Sequence, residues 1–340
     1  MRRVHALLVA VVATLAACGS GGGTRDEGLT VMTRNLYLGA PLDPLFAPAS
    51  AADLPAAVSS LWSTVQASDP PARMARVADE IAARRPDLVG LQEAALFQTT
   101  SLASPLAGEA TVYDFAELIV RSLADRGLTY RVVATSKNFS QQVPASLGLL
   151  LRFTDRDVIL ARDAVATSEA RDGRYQAQLQ LTIAGTGLAI PRGWCSVLAD
   201  DGSGPVRFWN THLEAAADPV QEAQAQELVQ LLTPETGRVV LVGDLNSPAD
   251  GSGTTSYALV RGAGFGDAWT TTHPGDPGLT CCFDPLLRSS TLVSRIDLVL
   301  PRGAVDATAA EIVGEEAADR TASGLWPSDH AGVSAVLRVR

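Results

Sequence analysis

A mixed α/β fold is what this sequence predicts, and three observations carry it. Strand-like and helix-like segments alternate over the first third of the chain, short hairpin-like runs follow in the middle, and 46% of the residues are apolar, ample for a large core. Alternation argues for parallel neighbours and hairpins for antiparallel ones, so the sheets should be mixed.

Leu29 to Leu38 alternates enough to form a first strand. A long excursion from Gly39 to Pro71 follows, rich in proline, within which Leu54, Val58, Leu61, Trp62 and Val65 have helical spacing. Such an excursion is either a packed decoration or a loop that shapes substrate access. Arg73 to Arg85 reads as an amphipathic helix stopped by Pro86, and Asp87 to Leu91 as a short buried strand. A helix over Asp114 to Asp125 precedes a strand over Tyr130 to Ala134. Further strands are expected at Leu147 to Phe153, Val158 to Ala161, Gln176 to Ile183 and Val206 to Thr211. Asp218 to Leu232 is a helix with proline at its start, Arg238 to Val242 a fully buried strand, and Ile296 to Leu300 and Val333 to Val339 close the set.

The first residues read as a sorting signal. Arg2 and Arg3 precede an apolar stretch, Ala6 to Ala17, too short to span a bilayer, which takes about 20 residues. Leu15-Ala16-Ala17-Cys18 resembles a bacterial lipobox. Residues 1–17 are therefore expected to be a lipoprotein signal peptide, Cys18 the lipidated residue, 18–28 a glycine-rich flexible tether, and 29–340 a single domain with an insertion at about 39–71. The expected location is extracytoplasmic, either membrane-anchored or secreted. Setting aside Arg2 and Arg3 leaves 25 basic residues against 37 acidic, a balance of about −12, and the chain has one lysine, Lys137. Such a body lacks a broad basic surface for gripping long duplex DNA, though a metal and a few arginines can neutralise one phosphate. Three cysteines follow Cys18, and export makes a bridge from Cys195 to Cys281 or Cys282 the expectation, with one thiol left over. Zinc is disfavoured, because adjacent cysteines point apart in an extended chain and no histidine sits at zinc-ligand spacing.

The chemistry lies in short polar segments at the borders of apolar runs: Thr33-Arg34-Asn35, Leu91-Gln92-Glu93, Asn210-Thr211-His212, Gly243-Asp244-Leu245-Asn246, Arg295-Ile296-Asp297 and Ser328-Asp329-His330. Each alone is bland, since Asp and Asn after a strand are ordinary turn formers. Together they deliver carboxylates and an asparagine, which suit a hard cation, and two histidines, which suit proton transfer or charge stabilisation at phosphate. Asp244 and Asn246, two apart, would emerge on one face if the strand persists, and Asp297 can hold the His330 ring.

In this order, the six segments resemble the endonuclease/exonuclease/phosphatase superfamily from about Leu29 to the C-terminus. The resemblance implies a four-layered α/β (α+β) sandwich, two packed mixed β-sheets flanked by helices, with the site at one end. It implies that Asn35, Glu93 and Asp329 hold Mg2+, with Mn2+ or Ca2+ as alternatives. His330, oriented by Asp297, would act as general base or stabilise the phosphorane, and His212 would contact the phosphate. Asp244 and Asn246 would position the water and a phosphoryl oxygen. The expected partners are a phosphodiester substrate, of nucleic acid or a small molecule, and a membrane through Cys18, with the chain a monomer. A sphingomyelinase or phospholipase C-like hydrolase, and a non-catalytic lipoprotein scaffold, are the alternatives. Leu245 stands where phenylalanine is common in the family, and the partner of His212 is unassigned among Glu109, Tyr113 and Tyr175.

Overall fold

The computed structural model describes residues 28–45, 50–146, 148–183, 185–289 and 291–340. The expected signal, Cys18 and the tether up to residue 27 lie outside the described residues. The elements run β1 (Leu29–Asn35), α1 (Leu54–Ala67), α2 (Pro70–Arg84), β2 (Leu88–Gln92), β3 (Leu96–Ser101), β4 (Ala110–Asp114), α3 (Phe115–Asp125), β5 (Tyr130–Ala145) and β6 (Leu149–Arg162). They continue with β7 (Ala166–Arg174), β8 (Leu179–Ile183), β9 (Thr186–Ile190), β10 (Gly193–Asp200), β11 (Val206–His212), α4 (Asp218–Leu232), β12 (Val239–Asp244), α5 (Ser256–Gly262), α6 (Ala268–Thr272), β13 (Asp297–Arg302), β14 (Val305–Val313) and β15 (Gly332–Val339).

Neighbouring residues of the central strands enter different cores, as the two-residue strand period requires. Val31, Leu88, Val240, Val242 and Val299 share one core with Phe208 and Val333 between the sheets. Met32, Val89 and Leu91 face outward onto α1, α2 and α3, whereas Leu241, Leu298 and Leu300 face outward onto α4 and α5. Helices, sheet, sheet and helices thus make four layers. Each fully buried aliphatic or aromatic side chain is worth roughly 1.5–3 kcal/mol relative to exposure.

The first sheet has the order β14-β15-β1-β2-β6-β3-β4, with β5 also paired to β6, and the second the order β13-β12-β11-β10-β7. Both are mixed: β1 runs parallel to β2 and β11 parallel to β12, the remaining pairs being antiparallel. β8 and β9 form a separate hairpin.

Several boundaries differ from the sequence reading. The helix expected from Arg73 begins at Pro70, because Pro70 and Pro71 occupy the first turn, where no backbone N–H is needed, and Asp69 caps it through Ala72 N at 3.3 Å. The two short strands read at 147–153 and 158–161 fall, from Leu149 onward, on one long strand, β6, paired with β5 along its length. The helix read at Leu54 is α1, whose Val58, Leu61, Trp62 and Val65 are buried, so it is packed structure.

Candidate active site

Four strand ends and two strand starts meet at one rim of the sandwich. The parallel pairs bring the C-terminal ends of β1, β2, β11 and β12 there, and β13 and β15, antiparallel to β12 and β1, begin there. Asn35 is the last residue of β1, Glu93 follows β2, His212 ends β11, Asp244 ends β12, Asp297 opens β13, and Asp329 and His330 precede β15. In register, His212 lies opposite Asp244, and Asp244 opposite Asp297. Asn35 Nδ2 donates to Asp244 Oδ2 at 3.0 Å and to Glu93 Oε1 at 3.3 Å, tying one sheet to the other.

Asn246 reaches the site by a different route from the expected continuing strand. β12 stops at Asp244, Asn246 adopts φ 49°, and its backbone N–H donates to Asp244 Oδ1 at 2.8 Å, closing a tight turn. Its side-chain nitrogen lies 3.0 Å from Leu213 O and 3.1 Å from His212 Nε2.

His330 Nδ1 is 2.9 Å from Asp297 Oδ2 and 3.8 Å from Asp244 Oδ2, and its Nε2 is 3.9 Å from Asp329 Oδ1. Burial alone would favour the neutral ring, but the carboxylates of Asp297, Asp329 and Asp244 outweigh it and hold the imidazole well above its ordinary value. Burial and the neighbouring Asp297 push Asp244 up to about 7, with His330 pulling the other way. Asp329 rises to about 6, through burial foremost and Glu93 in part. Glu93, at φ 52°, accepts from Leu38 N at 2.8 Å and is raised by burial and then by Asp155. Two left-handed non-glycine residues in one site are backbone strain that the surrounding fold sustains.

Of the expected metal ligands, Asn35 turns its Nδ2 to Glu93 while its Oδ1 accepts from Tyr37 N at 2.9 Å. Among the described residues, the acidic and histidine side chains whose ligand atoms lie close enough together for one cation are Asp244, Asp297 and His330 and, beside them, Cys281, Cys282 and His330. Burial, joined by Asp155 at Glu93 and by Glu93 at Asp329, holds both carboxylates toward their protonated forms, a bias that a bound cation would relieve.

Behind the rim, two buried arginines fix the backbone. Arg34, within the first polar motif, turns away from the site: Nε and Nη2 pair with Glu80 at 2.9 and 3.1 Å, and Nη1 donates to His330 O. Arg73 donates to the carbonyls of Leu36, Tyr37, Ser68 and Pro327, clamping the segment after β1 to the one before Ser328. Between the sheets, Gln92 Nε2 donates to Asn210 Oδ1 at 2.6 Å, and Asn210 Nδ2 to Leu91 O and Val158 O at 2.9 and 3.1 Å.

None of the three residues considered for His212 is its partner. Glu109 pairs with Arg152, Tyr113 packs on Trp62, and Tyr175 bonds Thr211 Oγ1 at 2.7 Å, one residue away. Arg192 Nη1 contacts His212 Nδ1 at 3.1 Å instead. Arg192 sits in turn 3.7 Å from Asp155 Oδ2 and 3.5 Å from Glu214 Oε2. The sequence reading missed these residues. Asp155 and Asp157, two apart between apolar runs of one strand, were the available signal; Arg192, in a loop between Pro191 and Gly193, gave none. His273 stacks on Trp269 and takes no part.

The expected bridge from Cys195 is not formed. Cys195 is a free thiol fully buried between the sheets, 3.6 Å from Asp157 O, while Cys281 and Cys282 are joined to each other on a loop beside His330. An apolar cleft of about 260 Å3 adjoins the site, with Leu38, Val58, Phe97, Phe139, Phe153 and Leu188 in its walls. Leu38 is the residue whose N–H holds Glu93.

The fold recurs in solved structures. An endonuclease/exonuclease/phosphatase family protein from Bacteroides thetaiotaomicron is 17% identical, with 92% of this chain and 98% of that chain covered and a TM-score of 0.56. The mannosyl-6-phosphatase from the same organism is 17% identical over 91% of this chain and 99% of its own, with a TM-score of 0.53. A truncated Caenorhabditis elegans TDP2 is 18% identical over 92% and 97%, with a TM-score of 0.51. None of the curated proteins matches the chain. At these identities the likeness shows the fold, but the sequence pattern of the Endonuclease/Exonuclease/phosphatase family matches residues 58–330 directly. Well over half of the sequence thus carries that pattern, and the chain belongs to the endonuclease/exonuclease/phosphatase family, hydrolases of phosphoester bonds.

Proposed function

We propose that the chain is an exported, lipid-anchored, Mg2+-dependent phosphodiesterase acting on nucleic acid or small phosphodiesters. The observation that supports this best is the convergence of Asn35, Glu93 and Asp329 with the Asp244–Asp297–His330 constellation at one rim. When bound, the cation would neutralise charge developing on the phosphoryl group. His330, kept cationic by three carboxylates and held by Asp297 of the second sheet, stabilises the same charge from beside Asp329. Asp244, raised to about 7, is then the group placed to accept water's proton near neutral pH. Asn246 orients the water and a phosphoryl oxygen, and His212 contacts the phosphate. Cys18 would carry the lipid.

The test is turnover of DNA, RNA and bis-p-nitrophenyl phosphate by the purified protein, with Mg2+ and with chelator. Metal-dependent cleavage of at least one is expected; none on any overturns the reading. Loss of membrane fractionation in Cys18→Ser would support the anchor, and unchanged fractionation would remove it. A second reading, a sphingomyelinase or phospholipase C-like hydrolase, is favoured by the apolar cleft beside Glu93, which suits a hydrocarbon chain. Choline release from sphingomyelin separates the two.

The raised carboxylates also give a pH dependence. The folded pKa values of Asp244 and Asp329, about 7 and about 6, lie above the ordinary 3.8, so the folded state keeps protons that the unfolded chain has lost. Their contribution to stability therefore falls as pH rises through that window. Without metal, the thermal midpoint should drop from pH 5 to pH 8 less steeply in Asp244→Asn than in wild type. Stabilisation by Mg2+, which needs ionised ligands, should grow over the same range. Equal slopes in wild type and Asp244→Asn would contradict this.

A further inference from the structure

Arg192 stands on the outer side of the His212 ring, and its chemistry constrains that ring. A guanidinium has five N–H donors and no acceptor, so a nitrogen 3.1 Å from Nη1 must offer a lone pair. His212 Nδ1 is therefore bare. On the opposite side, Nε2 faces Asn246 Nδ2 at 3.1 Å and Asp244 Oδ2 at 3.6 Å. Two donors cannot both meet bare nitrogens of a neutral imidazole. Asn246 Nδ2 already donates to Leu213 O at 3.0 Å and need not donate to Nε2, whereas a guanidinium cannot become an acceptor, so Arg192 decides the outcome.

Arg192 is itself held firmly. Its side chain is 16% exposed, between Asp155 and Glu214. Glu214 is pinned by the backbone N–H groups of Ala215 and Ala216 at 3.0 and 2.8 Å. The charged and titratable groups around His212 are Arg192 on the segment before β10, Asp244 at the end of β12, and His330 before β15. Burial, then Arg192, then His330 all disfavour a cationic ring.

We propose that Arg192 is a positioning residue that locks the proton of His212 on Nε2, making this histidine a fixed hydrogen-bond donor to a phosphoryl oxygen. A carboxylate at Nδ1 would do the reverse, stabilising an imidazolium able to surrender a proton to the leaving group. The role in the reaction rests on the phosphodiesterase reading above; the tautomer does not.

Nitrogen-15 NMR of the full chain, metal-free and with Mg2+, tests the lock without any substrate, with Tyr175→Phe as a folding control and His212→Asn assigning the signal. His212 should show an unprotonated Nδ1 and a protonated Nε2 across the range from mildly acid to mildly alkaline pH. Arg192→Lys, which keeps a cationic donor, should preserve that pattern. Arg192→Gln should move the proton to Nδ1 or let the ring titrate, and should lower kcat by roughly 10–100-fold, the range for partners that orient a site histidine, more than it raises KM. A protonated Nδ1 in wild type, or a His212 spectrum unchanged in Arg192→Gln, overturns the proposal. Should Arg192→Gln fail to fold, the wild-type and Arg192→Lys spectra still decide it. If no phosphoester is cleaved, the functional reading falls while the spectra judge the lock separately.

Discussion

Replacing Asp297 with asparagine is expected to cut kcat/KM toward phosphoesters by about 10²–10⁴-fold, the span general acid–base and charge-stabilising groups carry, without a comparable loss of thermal stability. Asp297 is fully buried at the first position of β13 and holds His330 Nδ1 at 2.9 Å. Asparagine has its shape but no charge, so the ring loses both its anchor and the nearest carboxylate that keeps it cationic. The same change removes the neighbour that, after burial, does most to raise Asp244. The acidic limb of the pH–rate profile should therefore move to lower pH. His330→Ala should lose a similar factor, and the double variant little more, because the two act as a unit. Near wild-type kcat/KM in Asp297→Asn would remove His330 from the proposed mechanism.

Arg34→Met is expected to destabilise the protein by about 3–5 kcal/mol, because it leaves the Glu80 carboxylate buried without its partner. The pair is sealed, with side chains 0% and 4% exposed, and burial already raises Glu80 against the pull of Arg34. Gly314 and Gly332 make room for it: a Cβ on either would come within 2.6 and 2.8 Å of the Arg34 side chain. Since Arg34 Nη1 also holds His330 O, activity should fall alongside stability. In Arg34→Met/Glu80→Met much of the stability should return, as apolar replacements of buried pairs often allow, while activity should not. Urea midpoints and kcat/KM of the single and double variants measure both. A single variant as stable as wild type would show that the pair carries no net weight.

The site was legible where polar residues end uninterrupted apolar runs, as at Val239–Asp244 and Leu88–Gln92. Burial on both faces makes such strands conspicuous, and the six motifs at their ends lie together at one rim. Edge elements were not legible. β7 is mostly exposed and reads Ala-Thr-Ser-Glu-Ala-Arg-Asp-Gly-Arg, with no periodicity to mark it. β5 and β6 were read as fragments because Thr154-Asp155-Arg156-Asp157 breaks the apolar pattern of β6. Those same residues place Asp155 against Arg192, so the interruption that hid the strand is also the part of the site that was missed. The cysteines misled for a different reason: the expectation of export implied a bridge, but pairing follows from position, and Cys195 points into the core between the sheets.

The amide pair of Gln92 and Asn210 bears on how this scaffold can diversify. Gly90 leaves space for it, since a Cβ there would approach Val242 Cγ2 to 2.5 Å and Asn210 Oδ1 to 2.8 Å. These interior groups set the gap between the two sheets just below Glu93 and His212, so the spacing of the reactive side chains does not depend on the outer segments. Exposed turns such as residues 50–53 can change character without disturbing this pair, so selectivity can be redirected while the chemical apparatus stays in place.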